Sequence, residues 1–156
     1  MKENSNFLVA TIALLILYSN PILAGKEINI ESKSEKGICQ IKINNSELIK
    51  YNCPNSGSPT LLLYSNLHSS NNNVLVFIDT PWGNACDGGP IHIISQGDNG
   101  IYKLQKAIDF CGGHYPTITS GPEGLIIKIP SLNIEGTNKK IPPEKWIFKN
   151  DFLVKE

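Results

Sequence analysis

Four cysteines, three histidines and a few turn-region carboxylates are the side chains of this chain with the means for covalent or metal chemistry. Their spacing narrows what that chemistry is. Cys39, Cys53, Cys86 and Cys111 never stand two to four residues apart, so the local spacing of a structural zinc site is missing. His68, His92 and His114 are also too far apart for a local ligand pair, and no metal or cofactor is expected. Cys86 is the one candidate nucleophile. It sits in the Gly-rich run Pro81 to Gly89, with His92 and His114 as possible bases. A cysteine hydrolase needs a free thiolate with an imidazole in reach. No helix signal follows Cys86, Pro90 interrupts the run, and a bond to Cys111 would remove the thiol. Asp79 and Asp87 are the carboxylates that a glycosidase would pair. Each stands beside Thr80-Pro81 or Gly88, in the turn contexts where Asp usually bonds its own backbone. No catalytic residue is assigned.

An even number of cysteines reads as two disulfides if the chain is exported, and the start of the chain carries an export address. Lys2 and Glu3 precede an apolar run from Phe7 to Tyr18 broken only by Thr11, then Asn20-Pro21, then the small residues Ala24-Gly25. This is the layout of a signal peptide, and the run is too short to span a bilayer. We expect a leader over residues 1–24, a single β-rich exported domain over 25–156, and no stable membrane anchor after cleavage. Strand register suggests the pairing. A two-residue turn at Asp98-Asn99 sets Cys86 opposite Cys111, whereas Asn99-Gly100, with its stronger hairpin chemistry, leaves them one step apart. For Cys39 and Cys53, a two-residue turn at Asn44-Asn45 puts them out of register, and a three-residue loop at Asn45-Ser46-Glu47 restores opposition. The expected bridges are Cys86–Cys111 and, less firmly fixed by register, Cys39–Cys53.

The elements that must position these residues are strands. Short runs rich in Ile, Val, Tyr and Phe alternate with turn residues. The expected strands are Ile38–Ile43, Leu48–Asn52, Thr60–Tyr64, Val74–Asp79, Ile91–Ser95, Ile101–Gln105, Thr117–Thr119, Leu125–Ile129 and Trp146–Phe148. With 13 Gly and 10 Pro the chain is too rich in breakers for long helices; only Lys103 to Phe110 has a faint helical spacing. The fold class is all-β, a small antiparallel sandwich or barrel of about eight strands. Val74 to Ile78 and Leu125 to Ile127 read as central strands covered on both faces. Ser65 to Asn73 reads as a solvated loop.

Composition excludes several functions. Fourteen Lys with no Arg balance fourteen acidic residues, which argues against nucleic-acid binding. There is no phosphate loop, dinucleotide fingerprint or Ser nucleophile elbow. The remaining possibility is recognition. Trp82, Asn84, Asp87, His114 and Tyr115 lie in the two Gly-rich loops that a Cys86–Cys111 bridge would hold together, and Trp and Tyr dominate binding hot spots. The competing reading of Trp82 is a core cap beneath that bridge. Tyr64 and Tyr102 are expected near loop ends or on an outer face. The sequence thus points to a non-catalytic periplasmic or secreted binding protein, of the inhibitor or immunity type, whose partner is a protein in the envelope or outside the cell. A small cysteine hydrolase and a structural envelope component are the alternatives. The abundance of Ile, Asn and Lys suggests an AT-rich bacterial source.

Overall fold

The computed structural model describes residues 28–44, 46–67, 72–83, 88–112, 114–134 and 136–156; the leader expected over 1–24 lies outside them. Among the described residues there is no helix. Thirteen strands follow in chain order: β1 Ile30–Glu35, β2 Ile38–Ile43, β3 Ser46–Asn52, β4 Thr60–Leu67, β5 Asn72–Ile78, β6 Ile91–Gln96, β7 Tyr102–Leu104, β8 Thr117–Gly121, β9 Gly124–Ile129, β10 Leu132–Asn133, β11 Lys140–Ile141, β12 Glu144–Lys149 and β13 Phe152–Lys155. All pair antiparallel. They make the sheets β1-β2-β3, β4-β5-β6-β7 and β13-β12-β9-β8, with β10-β11 a separate ribbon.

The sheet β4-β5-β6-β7 lies in the middle, because both faces of β5 and β6 are apolar. Alternate side chains of a strand point to opposite faces. Val74, Val76, Ile78, Ile91 and Ile93 pack with Leu125, Ile127 and Phe148 of β9 and β12 in the larger core. Leu75, Phe77 and Ile94 point the other way and pack with Ile41 and Ile43 of β2. The continuously apolar run Val74–Ile78 is therefore covered on both faces, as its sequence implies. Each fully buried Ile, Val, Leu or Phe contributes about 1.5–3 kcal/mol, so this run anchors the whole arrangement.

Several details depart from the sequence reading. Among the described residues the strands number thirteen instead of about eight, and the sheets do not close into a barrel. β1, β10, β11 and β13 are short or polar enough to escape a search for apolar runs. In Leu125 to Ile127 only one face is fully covered, since Ile126 is half-buried. No solvated loop spans Ser65 to Asn73: β4 runs on to Leu67, which is buried, and β5 begins at Asn72. Lys103 to Phe110 is not helical. It completes β7 and then touches β6 through the Ile91–Ile108 bridge.

Neither two-residue turn expected between β6 and β7 forms. The pairs Ile94–Leu104, Ser95–Lys103 and Gln96–Tyr102 enclose a longer loop in which Gly97 N donates to Ile101 O and Gly100 takes φ 76°. A three-residue loop ending in a left-handed residue is the next commonest hairpin solution, and glycine supplies it without steric cost. Between β2 and β3 the turn starts at Asn44 (φ 51°), with Ile43 opposite Ser46. The three-residue loop at Asn45-Ser46-Glu47 does not form. A register shift between Ile41 and Lys42 then leaves Cys39 opposite Tyr51. Cys39 and Cys53 nevertheless bond, with their Cα atoms 5.7 Å apart. Direct opposition was not required, because Cys53 lies two residues beyond Tyr51, the partner of Cys39, and Cys53 N donates to Gly37 O at 2.9 Å, which holds it close to β2.

Candidate functional site

A buried polar network and an exposed tryptophan sit at opposite ends of the same few residues. The network starts from Asp79, the first residue after β5, which is only 4% exposed. Tyr51 Oη donates to Asp79 Oδ1 at 2.6 Å, and His92 Nε2 lies 3.1 Å from Asp79 Oδ2. The Tyr51 and His92 rings pack at 4.2 Å between centroids. Register explains the meeting. His92 pairs with Phe77 and so faces the β1-β2-β3 sheet, while Tyr51 pairs with buried Cys39 and faces the central sheet. Burial, then the hydrogen bond to Asp79 and its charge, push the Tyr51 hydroxyl far above its ordinary range. Tyr51 is therefore a proton donor to a carboxylate and not a nucleophile. His92 is buried, and its Nδ1 has no hydrogen-bond partner.

A His held by a carboxylate is the orienting half of a nucleophilic triad. Here His92 Nε2 is occupied by Asp79, and Asp79 is shared with Tyr51. The network joins three elements by side chains, and by backbone it also closes the loop that follows. Asp79 N donates to Pro90 O at 3.1 Å, and Gly89 N donates to Asp79 O at 2.8 Å. This is not the self-capping turn expected for Asp79. Gly88 and Gly89 are required by closeness: a Cβ on Gly88 would lie 2.9 Å from Phe110 Cε1, and one on Gly89 2.8 Å from Asp79 Cβ.

From this closed base the chain runs out along residues 53–59. Gly57 N donates to Thr80 O and Trp82 N donates to Asn55 O, both at 2.7 Å, with a bridge between Ser56 and Pro81. The 53–59 segment is itself tied down by the Cys39–Cys53 bond and by Ser34 Oγ donating to Ser56 O. The indole of Trp82 lies beside Gly57 and is 72% exposed. Trp82 is thus not a core cap. The bridge nearest to it in this ladder is Cys39–Cys53.

Of the other expected site residues, Tyr115 is 65% exposed and His114 is exposed, on the segment leading into β8. Asn84, Cys86 and Asp87 lie outside the described residues, and so does the expected Cys86–Cys111 pairing; Cys111 itself is disulfide-bonded. Tyr64 and Tyr102 are half-buried against the Ile41–Phe77 core, not on a loop rim. No group of three or more His, Cys, Asp or Glu suited to a metal occurs among the described residues.

Sequence reasoning missed the partnership of Tyr51, Asp79 and His92. The signals were a lone acid ending an apolar strand and a lone His between Ile91 and Ile93. Another went unread: no Asp, Glu or Lys occurs from Tyr51 to Ile78, so the 53–59 segment carries no charged side chain of its own.

The chain matches no protein-family model, no curated protein and no solved structure.

Proposed function

We propose that this chain is an exported, non-catalytic binding protein that recognises another protein through the surface centred on Trp82. One observation carries the reading: a large apolar side chain is held 72% exposed on backbone that hydrogen bonds at Thr80 and at Trp82 itself tie to the 53–59 segment. Leaving an indole in water forgoes burial energy. Holding its backbone in one place lowers the entropy cost of binding. The neighbouring Asn55, Ser56, Gly57 and Ser58 add neutral hydrogen-bonding groups, the mixture found in protein-recognition loops. The rest of the rim, Asn84, Asp87, His114 and Tyr115, is proposed on the strength of a Cys86–Cys111 staple joining the two Gly-rich loops.

The domain is read as a β-sandwich with the β1-β2-β3 sheet laid on one face, released into the periplasm or medium after cleavage near Ala24. The Cys39–Cys53 bond is compatible with that oxidising setting. The hydrolase alternative requires a free thiol at Cys86, which a bond to the disulfide-bonded Cys111 would remove.

A photo-crosslinking residue at position 82, compared with one at exposed Lys103, tests the proposal in intact envelopes. A discrete protein adduct formed from 82 and absent from 103 supports it. Identical adducts from both positions, or none from 82, refute the Trp82 surface as a protein-binding site. An adduct carrying glycan alone would redirect the reading to a saccharide.

A further inference from the structure

We propose that the cleft below the β10-β11 ribbon is a second binding site, one that takes a small organic cation with a compact apolar body. The cleft has a volume of about 200 Å³ and is walled by Phe110, Ile129, Leu132 and Ile141. A dry cavity of about 150 Å³ holds one benzene ring, so the space suits a single ring or a short branched chain. Its charged lining residues are Asp109 and Glu144, and no Lys or His lines it among the described residues.

Glu144 is built into place. Trp146 Nε1 donates to its Oε2 at 2.9 Å, and the Lys155 ammonium contacts its Oε1. That contact, aided by Trp146, holds the Glu144 carboxyl below its usual range and keeps it ionised. Each oxygen has one partner, while a carboxylate offers about four acceptor positions, so room remains for an incoming N–H. Lys155 offsets one of the two negative charges from a side chain that is 49% exposed and therefore well screened. One formal negative charge is left over beside an apolar wall. That combination rewards an alkyl- or arylammonium and repels an anion of the same shape. Cys111, the proposed staple of the rim, also borders this cleft, but none of the residues proposed to contact a partner does, so the two proposals are tested separately.

The test is a methyl-NMR titration of the full oxidised chain with benzylamine, benzyl alcohol and benzoate. Benzylamine is expected to give saturable shifts at Ile129, Leu132 and Ile141, with benzyl alcohol weaker by about threefold or more and benzoate silent. Asp109→Asn, at an exposed position, should weaken benzylamine by about two- to fivefold and leave benzyl alcohol unchanged. Glu144→Gln, which keeps an acceptor for Trp146, should do the same. Should Glu144→Gln fail to fold, Asp109→Asn alone decides the role of charge. Equal affinity for amine and alcohol, tighter binding of benzoate, or no saturable shift would overturn the proposal. A final arm with Nα-acetyl-lysine methylamide separates the sources of the cation: binding points to a lysine side chain of a partner, its failure beside bound benzylamine to a free amine.

Discussion

Removing one oxygen atom tests the buried network most directly. Tyr51→Phe keeps the ring that packs on His92 at 4.2 Å and deletes only the donor to Asp79. Asp79 is 4% exposed, so water does not easily replace that donor. A hydrogen bond to a charged group is worth about 1.5–3 kcal/mol, and we expect a loss of about 2 kcal/mol. With a urea slope of about 2 kcal/mol/M for a domain of this size, the midpoint should fall by about 1 M. The same change should raise amide exchange at Gly89 and Trp82, because Asp79 closes their loop through its backbone. A cycle with Asp79→Asn should show coupling of about 1 kcal/mol or more, as expected of residues in one network. A loss under about 0.5 kcal/mol, in the range of an ordinary surface substitution, would refute the account of Tyr51 as the strut of this site. So would strict additivity with Asp79→Asn.

Further outcomes follow from the same geometry. The Tyr51 hydroxyl titrates above its ordinary 10.0 in the folded chain, so its contribution is fully present below that pH and is lost as pH rises towards the higher folded value. Phenolate absorbance should therefore show one tyrosine that ionises only as the protein unfolds in alkali. Replacing Cys39 and Cys53 with Ser opens a ring of sequence separation 14 and should cost about 3 kcal/mol in urea unfolding under oxidising conditions. Gly89→Ala should cost about 1–3 kcal/mol, since its Cβ would meet Asp79 Cβ at 2.8 Å, while Gly121→Ala, with open space around it, should be nearly neutral. Trp82→Ala should leave stability within about 0.5 kcal/mol and weaken the partner's affinity by about thirtyfold or more, the signature of a hot spot of at least about 2 kcal/mol.

Most of the strands could be read from local pattern because strand identity is a local property. In β2, Cys39, Ile41 and Ile43 alternate with Gln40 and Lys42, and the strand's limits are the expected Ile38–Ile43. The apolar run in β5 announced a strand covered on both sides. β1 went unseen because only Ile30 of its six residues is a large apolar one. Its Ser32 and Ser34 are spent instead on the carbonyls of Pro59 and Ser56, partners that chain proximity does not reveal. The turns were harder. Asn44 held its expected place, but between β6 and β7 the loop closes through Gly97 N donating to Ile101 O with Gly100 at φ 76°, a solution that neither two-residue turn provides.

The exposed Trp82 illustrates the same division. Its residue type and Gly-rich setting marked it as a recognition candidate, but pattern left burial and exposure evenly matched. Burial was decided by the 53–59 segment, which takes the backbone of Trp82 and leaves the indole outside.

Side-chain alternation, turn chemistry and an even set of cysteines follow from short stretches of chain, so the all-β class and the identity of its main strands were already present in the order of residues. Tyr51 and Asp79 stand 28 positions apart, and Asp79 and His92 stand 13 apart. Asp79 and His92 came together through the pairing of β5 with β6, and Tyr51 reached them only when the β1-β2-β3 sheet was laid across the central one, because a buried hydrogen bond depends on which faces pack together and in what register.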